Sequence, residues 1–262
     1  MIRFCSLFSG SGGNCLYART GGTSVLIDAG VSARRIAASL AEIGESPGGI
    51  SALILSHRHS DHIGGAYVLA ARNGIPVYAN AATWAELGGM GRFPDGCAHA
   101  FETGSAFTIG GFTVRSFRLP HDAGDTAGFC LSAGGAKVSV ATDFGHVTES
   151  MVRCMEDSGL IYIESNHDVD MLKAGRYPYY LKKRILSEKG HISNEGSGEV
   201  CAYLAGKGAR SIILGHLSKE NNAPELAYAT VRRHLEGAGL EVGRDVALSV
   251  APDASRSALV EV

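Results

Sequence analysis

His57-Arg58-His59-Ser60-Asp61-His62 places three imidazoles and a carboxylate within six residues. The run follows the apolar pair Ile54-Leu55 and leads into Ile63-Gly64-Gly65. Polar groups of this kind are costly at the end of a buried segment unless something pairs with them. A divalent metal resolves the cost, because neutral imidazole and carboxylate are good ligands for first-row ions. His57 and His59 are one residue apart, so an extended or looped backbone aims both the same way. Asp61 and His62 are adjacent at a helix start and can serve a second position beside the first. Such a pattern suits two ions about 3.5–4 Å apart.

Four ligands do not fill two metal sites, so further donors are expected at the ends of other apolar runs. His121 follows Phe112–Phe117 in RLPHDAG, Asp143 follows Lys137–Ala141 in ATDFG, and His216 follows Ser211–Leu214 in ILGHLS. Asp28 ends a strand in LIDAG. It has two readings: a cap for the next helix, or a carboxylate that orients a ligand histidine from behind.

The elements that must position these groups come in runs. Strands are expected at 3–8, 15–18, 23–28, 50–55 and 76–78. Others are expected at 106–109 and 112–117, joined by Gly110-Gly111, and at 126–132 and 137–141, joined by Gly134-Gly135. Later strands fall at 160–164, 211–214 and 246–250. Helices are expected at 32–43, 61–72, 178–188, 194–205 and 224–235. In both halves strands are followed by helices that cover them. This pattern predicts layered α/β architecture rather than a strictly alternating doubly wound sheet. No linker, low-complexity tract or short repeat interrupts residues 1–262, which are read as a single domain.

Composition narrows the class. Apolar residues make up 45% and charged residues 19%, enough for a sizeable core and too few charges for a disordered chain. The net charge of −2 gives no global basic field. The six cysteines contain no CxxC pair and read as buried free thiols of a reducing compartment. No signal-peptide pattern opens the chain, and no run approaches a membrane span. A soluble cytoplasmic protein is the expectation.

With HxHxDH at 57–62 and later donors at His121, Asp143 and His216, the chain resembles the metallo-β-lactamase-fold hydrolases over nearly its whole length. The resemblance implies a four-layer αββα sandwich with metals at one edge of the two sheets. It implies that His57, His59 and His121 hold one ion, that Asp61, His62 and His216 hold the other, and that Asp143 bridges them. Two such ions share a water and lower its pKa toward neutrality, giving a hydroxide nucleophile. Zn, Mn and Fe all suit five histidines and two aspartates without sulfur.

The metal motif specifies hydrolysis and leaves the substrate open. FSGSGGNC (8–15), LPHDA (119–123), IYIESNHD (161–168) and YPYYLKKRILSEKGHISN (177–194) are similar to the WalJ/YycJ branch of bacterial DNA exonucleases. That likeness implies a 5′-to-3′ exonuclease or related phosphodiesterase with a nucleic acid, DNA first, as its partner. Residues 171–187 carry five basic side chains and no acidic one. Lys182, Lys183 and Arg184 can neutralise phosphates, and Tyr177, Tyr179 and Tyr180 can stack on bases. The competing reading is a solvated helix face with core tyrosines. Resemblance to tRNase Z-like relatives gives His191 the task of protonating the leaving oxygen, chemistry that suits a group titrating near neutrality. Asp61 and His191 are thus the catalytic candidates. Ser193 and Asn194, at a helix start, are candidate anion contacts, and His167 and His146 candidate neighbours of the site. His99 and His234 read as structural or surface residues. The glycine-rich segment 10–14 lacks the GK[ST] of a phosphate-binding P-loop and reads as a tight strand-to-strand loop near the metals, where Gly10, Ser11, Gly12, Gly13 and Asn14 can line the same cleft. Two other functions use the same ligands: hydrolysis of a small ester, lactone or thioester, and a non-catalytic metal-stabilised binding domain.

Overall fold

The computed structural model describes residues 1–262. The first six strands are β1 (Arg3–Phe8), β2 (Cys15–Thr20), β3 (Thr23–Ile27), β4 (Ala52–Ile54), β5 (Val77–Asn80) and β6 (Ala98–Phe101). The next seven are β7 (Ala106–Ile109), β8 (Phe112–Arg118), β9 (Ala127–Ala133), β10 (Ala136–Ala141), β11 (Leu160–Glu164), β12 (Ser211–Gly215) and β13 (Ala247–Val250). The last, β14 (Val260–Glu261), returns to β1. They form two seven-stranded sheets, ordered β14-β1-β2-β3-β4-β5-β6 and β13-β12-β11-β10-β9-β8-β7.

The two sheets repeat one plan. β1, β2 and β3 form an antiparallel meander, and β4, β5 and β6 continue it in parallel. β8, β9 and β10 form the same meander, and β11, β12 and β13 continue it in parallel. Outside each meander lies one antiparallel edge strand, β14 beside β1 and β7 beside β8.

Strand alternation builds the layers. In β3, Val25 and Ile27 face the space between the sheets, while Leu26 faces outward onto Ile36 and Leu40. In β11, Leu160 and Tyr162 point inward, and Ile161 and Ile163 pack on Val200 and Leu204. Each such side chain, fully buried, contributes about 1.5–3 kcal/mol. The outer layer on the first sheet includes α1 (Ala33–Glu42), α2 (Ser60–Ile63), α3 (Ala66–Asn73) and α4 (Ala81–Glu86). The second half supplies α5 (Glu149–Met155), α6 (Val169–Ala174), α7 (Tyr179–Ile185), α8 (Asn194–Gly206) and α9 (Pro224–Gly237), with α5, α8 and α9 lying on the second sheet. The result is the expected αββα sandwich. No helix is long and apolar enough to cross a membrane.

Two expectations are corrected. The helix expected over 61–72 is broken at Gly64-Gly65, where the chain runs so close to its neighbour that a Cβ on Gly65 would lie 2.1 Å from the Val31 carbonyl oxygen. The helix expected over 178–188 ends at Ile185, where the chain turns so tightly that a Cβ on Gly190 would meet the Ile185 carbonyl oxygen at 2.2 Å.

Candidate metal centre and its cleft

The donor groups lie at or just beyond strand ends, Asp61 and His62 in the short helix α2. His57, His59, Asp61 and His62 follow β4, His121 follows β8, Asp143 follows β10 and His216 follows β12. Asp28, Asp143 and His216 adopt left-handed backbone, with φ of 61°, 66° and 54°. Such bends cost on the order of 1–3 kcal/mol each for residues other than glycine. They are held by hydrogen bonds: Asp28 N donates to Ile54 O at 2.8 Å, Asp143 N to Glu164 Oε2 at 3.1 Å, and His216 N to Ser9 Oγ at 2.8 Å. The bend turns each side chain off its strand and fixes it there.

Hydrogen bonds behind the rings select which nitrogen faces the centre. His62 Nδ1 donates to Asp28 Oδ2 at 2.7 Å. Ser56 donates to both Asp28 oxygens, through N and Oγ, each at 2.8 Å. Ser56 Oγ in turn accepts from His57 Nδ1 at 3.0 Å. His121 Nδ1 donates to Gly190 O at 3.1 Å, and His216 Nδ1 to Glu164 Oε1 at 2.7 Å. The Nε2 lone pairs of these four rings are thereby left to converge. Asp28 belongs behind the ligands, and the following helix is capped by Ser32 instead.

The donors fit a pair of cations. His57 Nε2 is buried without a hydrogen-bond partner. His121 Nε2 and His59 Nδ1 face each other across 3.3 Å. A proton on one nitrogen or a cation shared by both satisfies that contact. His57, His59 and His121 form one donor group; Asp61, His62 and His216 form another. Asp143 sits between, with Oδ2 3.1 Å from His62 Nε2 and Oδ1 3.7 Å from His121 Nε2 and 3.6 Å from His216 Nε2. Its Oδ2 is buried and makes no hydrogen bond of good geometry.

Electrostatics agree with this division. Burial drives the pKa of His57 well down and lowers those of His59 and His121, keeping them neutral donors. Burial also acts on His62 and His216, but the carboxylates outweigh it. Asp143 and Asp28 hold His62 well above its ordinary value, and Asp143, Asp61 and Glu164 hold His216 up at about 10. The side of the pocket that holds His62 and His216 therefore favours positive charge, which protons or metal ions can supply.

The centre opens into a cleft of about 360 Å3. It is lined by the candidate donors His59, Asp61, Asp143 and His216 and by Ser11 and Ser218. Tyr177, Leu181, Arg184 and Ile185, from α7 and its lead-in, line it too, as does His191. His191 Nδ1 donates to Glu164 Oε1 at 2.7 Å, leaving Nε2 available. Burial opposes a charged His191, yet the Glu164 carboxylate keeps its pKa above the ordinary value.

The other expected contacts divide. Tyr179 and Tyr180 are 81% and 74% exposed and neither lines the cleft. Tyr179, Lys182 and Lys183 line a separate surface hollow with Lys173 and Leu186. Ser193, Asn194 and His167 are not brought to the cleft. Ser193 Oγ caps α8 by accepting from Gly196 N at 3.2 Å. Asn194 is buried and bonded to Ser165 and Asn222. His167 is buried with neither ring nitrogen bonded. His146 donates to Glu188 O, His99 stacks on Tyr78, and His234 pairs with Glu195.

Glu164 and Gly30 were not singled out from the sequence, whereas the loop 10–14 is expected beside the cleft and lies there. Glu164, at the end of the apolar run LIYIE, bears the same signal as the metal donors, a charge closing a buried strand. Asn14 Nδ2 reaches within 3.2 Å of His62 Nε2, so the glycine-rich loop buttresses the centre. Gly30 allows this closeness: a Cβ there would lie 1.7 Å from Asp61 O.

A two-sheet sandwich with histidine and aspartate clusters at its edge defines a metal-dependent hydrolase. Residues 23–217 match the family described as beta-lactamase superfamily domain. The chain belongs to the metallo-β-lactamase superfamily. It is 39% identical over 247 residues to the exodeoxyribonuclease WalJ of Streptococcus pneumoniae, covering 93% of this chain and 92% of that protein. It is 37% identical over 243 residues to the exodeoxyribonuclease YycJ of Bacillus anthracis, covering 92% of each. Among solved structures it is similar to the metallo-β-lactamase fold protein YhfI from Bacillus subtilis, with a TM-score of 0.75, 18% identity and 98% of both chains covered.

Proposed function

We propose that this hydrolase is a dinuclear-metal phosphodiesterase that degrades DNA from the 5′ end toward the 3′ end, and that residues 1–262 act as one catalytic domain. Its nearly full-length similarity to two exodeoxyribonucleases supports DNA as substrate. The structural observation that carries the reading is one shared cleft for the metal donors, His191, Tyr177 and Arg184. The six free cysteines suit a reducing compartment, and we place the enzyme in the cytoplasm.

His57, His59 and His121 would hold one ion, Asp61, His62 and His216 the other, and Asp143 both. Two divalent ions there, Zn, Mn or Fe, would lower the pKa of a bound water and offset charge on phosphate oxygens. Asp61, partly open to the cleft, offers a carboxylate to the proton of the attacking water. His191, fixed through Nδ1 by Glu164, delivers a proton from Nε2 to the leaving oxygen. Arg184 grips the phosphate, and Tyr177 stacks on the terminal base.

The test uses metal-loaded protein with 5′-phosphorylated, end-labelled duplex DNA, in Mn and in Zn, beside a His59→Ala control. Stepwise shortening from the 5′ end, absent in the control, is expected. Intact DNA under both metals would reject this reading in favour of RNA or a small ester, lactone or thioester.

A further inference from the structure

We propose that Asp122 is a positioning residue that aims Arg184 at a substrate phosphate beside the metal donors; this rests on the phosphodiesterase reading above. Arg184 donates through both Nε and Nη2 to the Asp122 carboxylate, the Nη2–Oδ1 distance being 3.0 Å. Asp122 directly follows His121. Its Oδ1 lies 3.4 Å from His121 Nε2 and 3.8 Å from His59 Nε2. The pair therefore joins α7 to the loop that carries a metal donor. Gly190 O, accepting from His121 Nδ1, ties the same loop to the turn that follows α7.

The chemistry follows from the guanidinium fork. It has five N–H donors in one plane, and two are spent on Asp122. The others remain for a ligand in the cleft that Arg184 lines with His59, Asp61 and His191. A carboxylate on the Nε edge thus sets the plane and reach of the opposite edge, which matches two oxygens of a phosphate. Half-exposed ion pairs add little stability. The pair's contribution is orientation: without it Arg184 is a long, mobile side chain that loses entropy on each binding event.

The experiment compares wild type, Asp122→Asn, Arg184→Ala, Arg184→Lys and the Asp122→Asn/Arg184→Ala double variant, all metal-loaded. Metal content, kcat and KM for 5′-phosphorylated DNA, and Kd for inorganic phosphate are measured. Asp122→Asn is expected to raise KM and the phosphate Kd about tenfold, with kcat within about threefold and metal content unchanged. Arg184→Lys should fail to restore affinity, having charge without the fork. The double variant should match Arg184→Ala alone, since Asp122 acts through Arg184. Additive losses, a fall in kcat at constant KM, loss of metal from Asp122→Asn, or tighter phosphate binding would each overturn the assignment. Wild type inert on DNA would reject the exonuclease reading alone. The phosphate titration then decides the pair, and equal Kd values across wild type, Asp122→Asn and Arg184→Ala would dismiss it.

Discussion

His191 and His216 donate to the same oxygen, Oε1 of Glu164, each through Nδ1 at 2.7 Å. His216 is a proposed metal donor, and His191 lines the cleft as the proposed acid. Glu164 is fully buried, and its remaining oxygen accepts from the N–H groups of Asp143 and Phe144. Burial opposes its charge, but His191 and His216 bring its pKa down to about 2.

Glu164→Gln should disturb both histidines at once, because an amide oxygen replaces the shared carboxylate. Removing a carboxylate behind a metal-bound histidine typically costs 10–100-fold in metal affinity or activity. We expect metal content to fall from about two toward one ion per chain, and kcat to fall by about 100-fold or more. Full metal content with normal turnover would show that Glu164 is not the common support.

His191→Ala should separate turnover from metal binding. Loss of a positioned acid costs on the order of 10²–10⁴-fold in rate. Elemental analysis of the variant should still find the wild-type metal content. A drop in bound metal would make His191 a ligand and end its assignment as proton donor.

The outward face of α7 should affect affinity and its salt dependence. Lys182→Ala/Lys183→Ala is expected to raise KM for DNA and reduce the slope of log K against log salt by about two. A small-ester hydrolase would show neither change. Fluorescence anisotropy with labelled DNA over a salt series measures the slope directly.

His167 makes stability pH-dependent. Burial brings its folded pKa down to about 4 from the ordinary 6.5. The unfolded chain therefore binds the proton more readily. The neutral buried ring imposes no penalty above pH 6.5, and stability is lost as pH falls from there toward 4. A shift of that size corresponds to about 3 kcal/mol at the acid end. In metal-free protein, urea unfolding of wild type should weaken more between pH 7 and 4 than that of His167→Gln. Parallel curves for the two would remove His167 as the cause.

Much of the centre was legible in the sequence because its donors share a simple signature. His57, His121, Asp143 and His216 are costly groups that close apolar strands, and the sandwich gathers those strand ends at one edge. Glu164 carries that signature too, but a single glutamate gives no sign that two histidines will converge on it. The Gly190 carbonyl that orients His121 has no side chain to read. The helix α4 has six residues and α5 seven, too few turns to display a 3.6-residue period. In α7 the composition revealed a basic aromatic segment, while only the fold shows that Tyr177 and Arg184 turn inward as Tyr179 and Lys183 turn away.

The repeated plan of the two sheets bears on how the chain could be cut. Ile2 and Val262 exchange backbone hydrogen bonds at 2.6 and 2.9 Å, so the termini already touch. β14 fills beside β1 the place that β7 fills beside β8. Joining the termini and opening the turn at Thr103-Gly104 would yield a circular permutant in which each sheet is one unbroken stretch of chain. In that order the molecule is a fused pair of equivalent halves, and Asp28 and Asp143 mark the same bend in each. One half uses its aspartate to brace His62 from behind; the other sets its aspartate between the two histidine groups proposed to hold the ions.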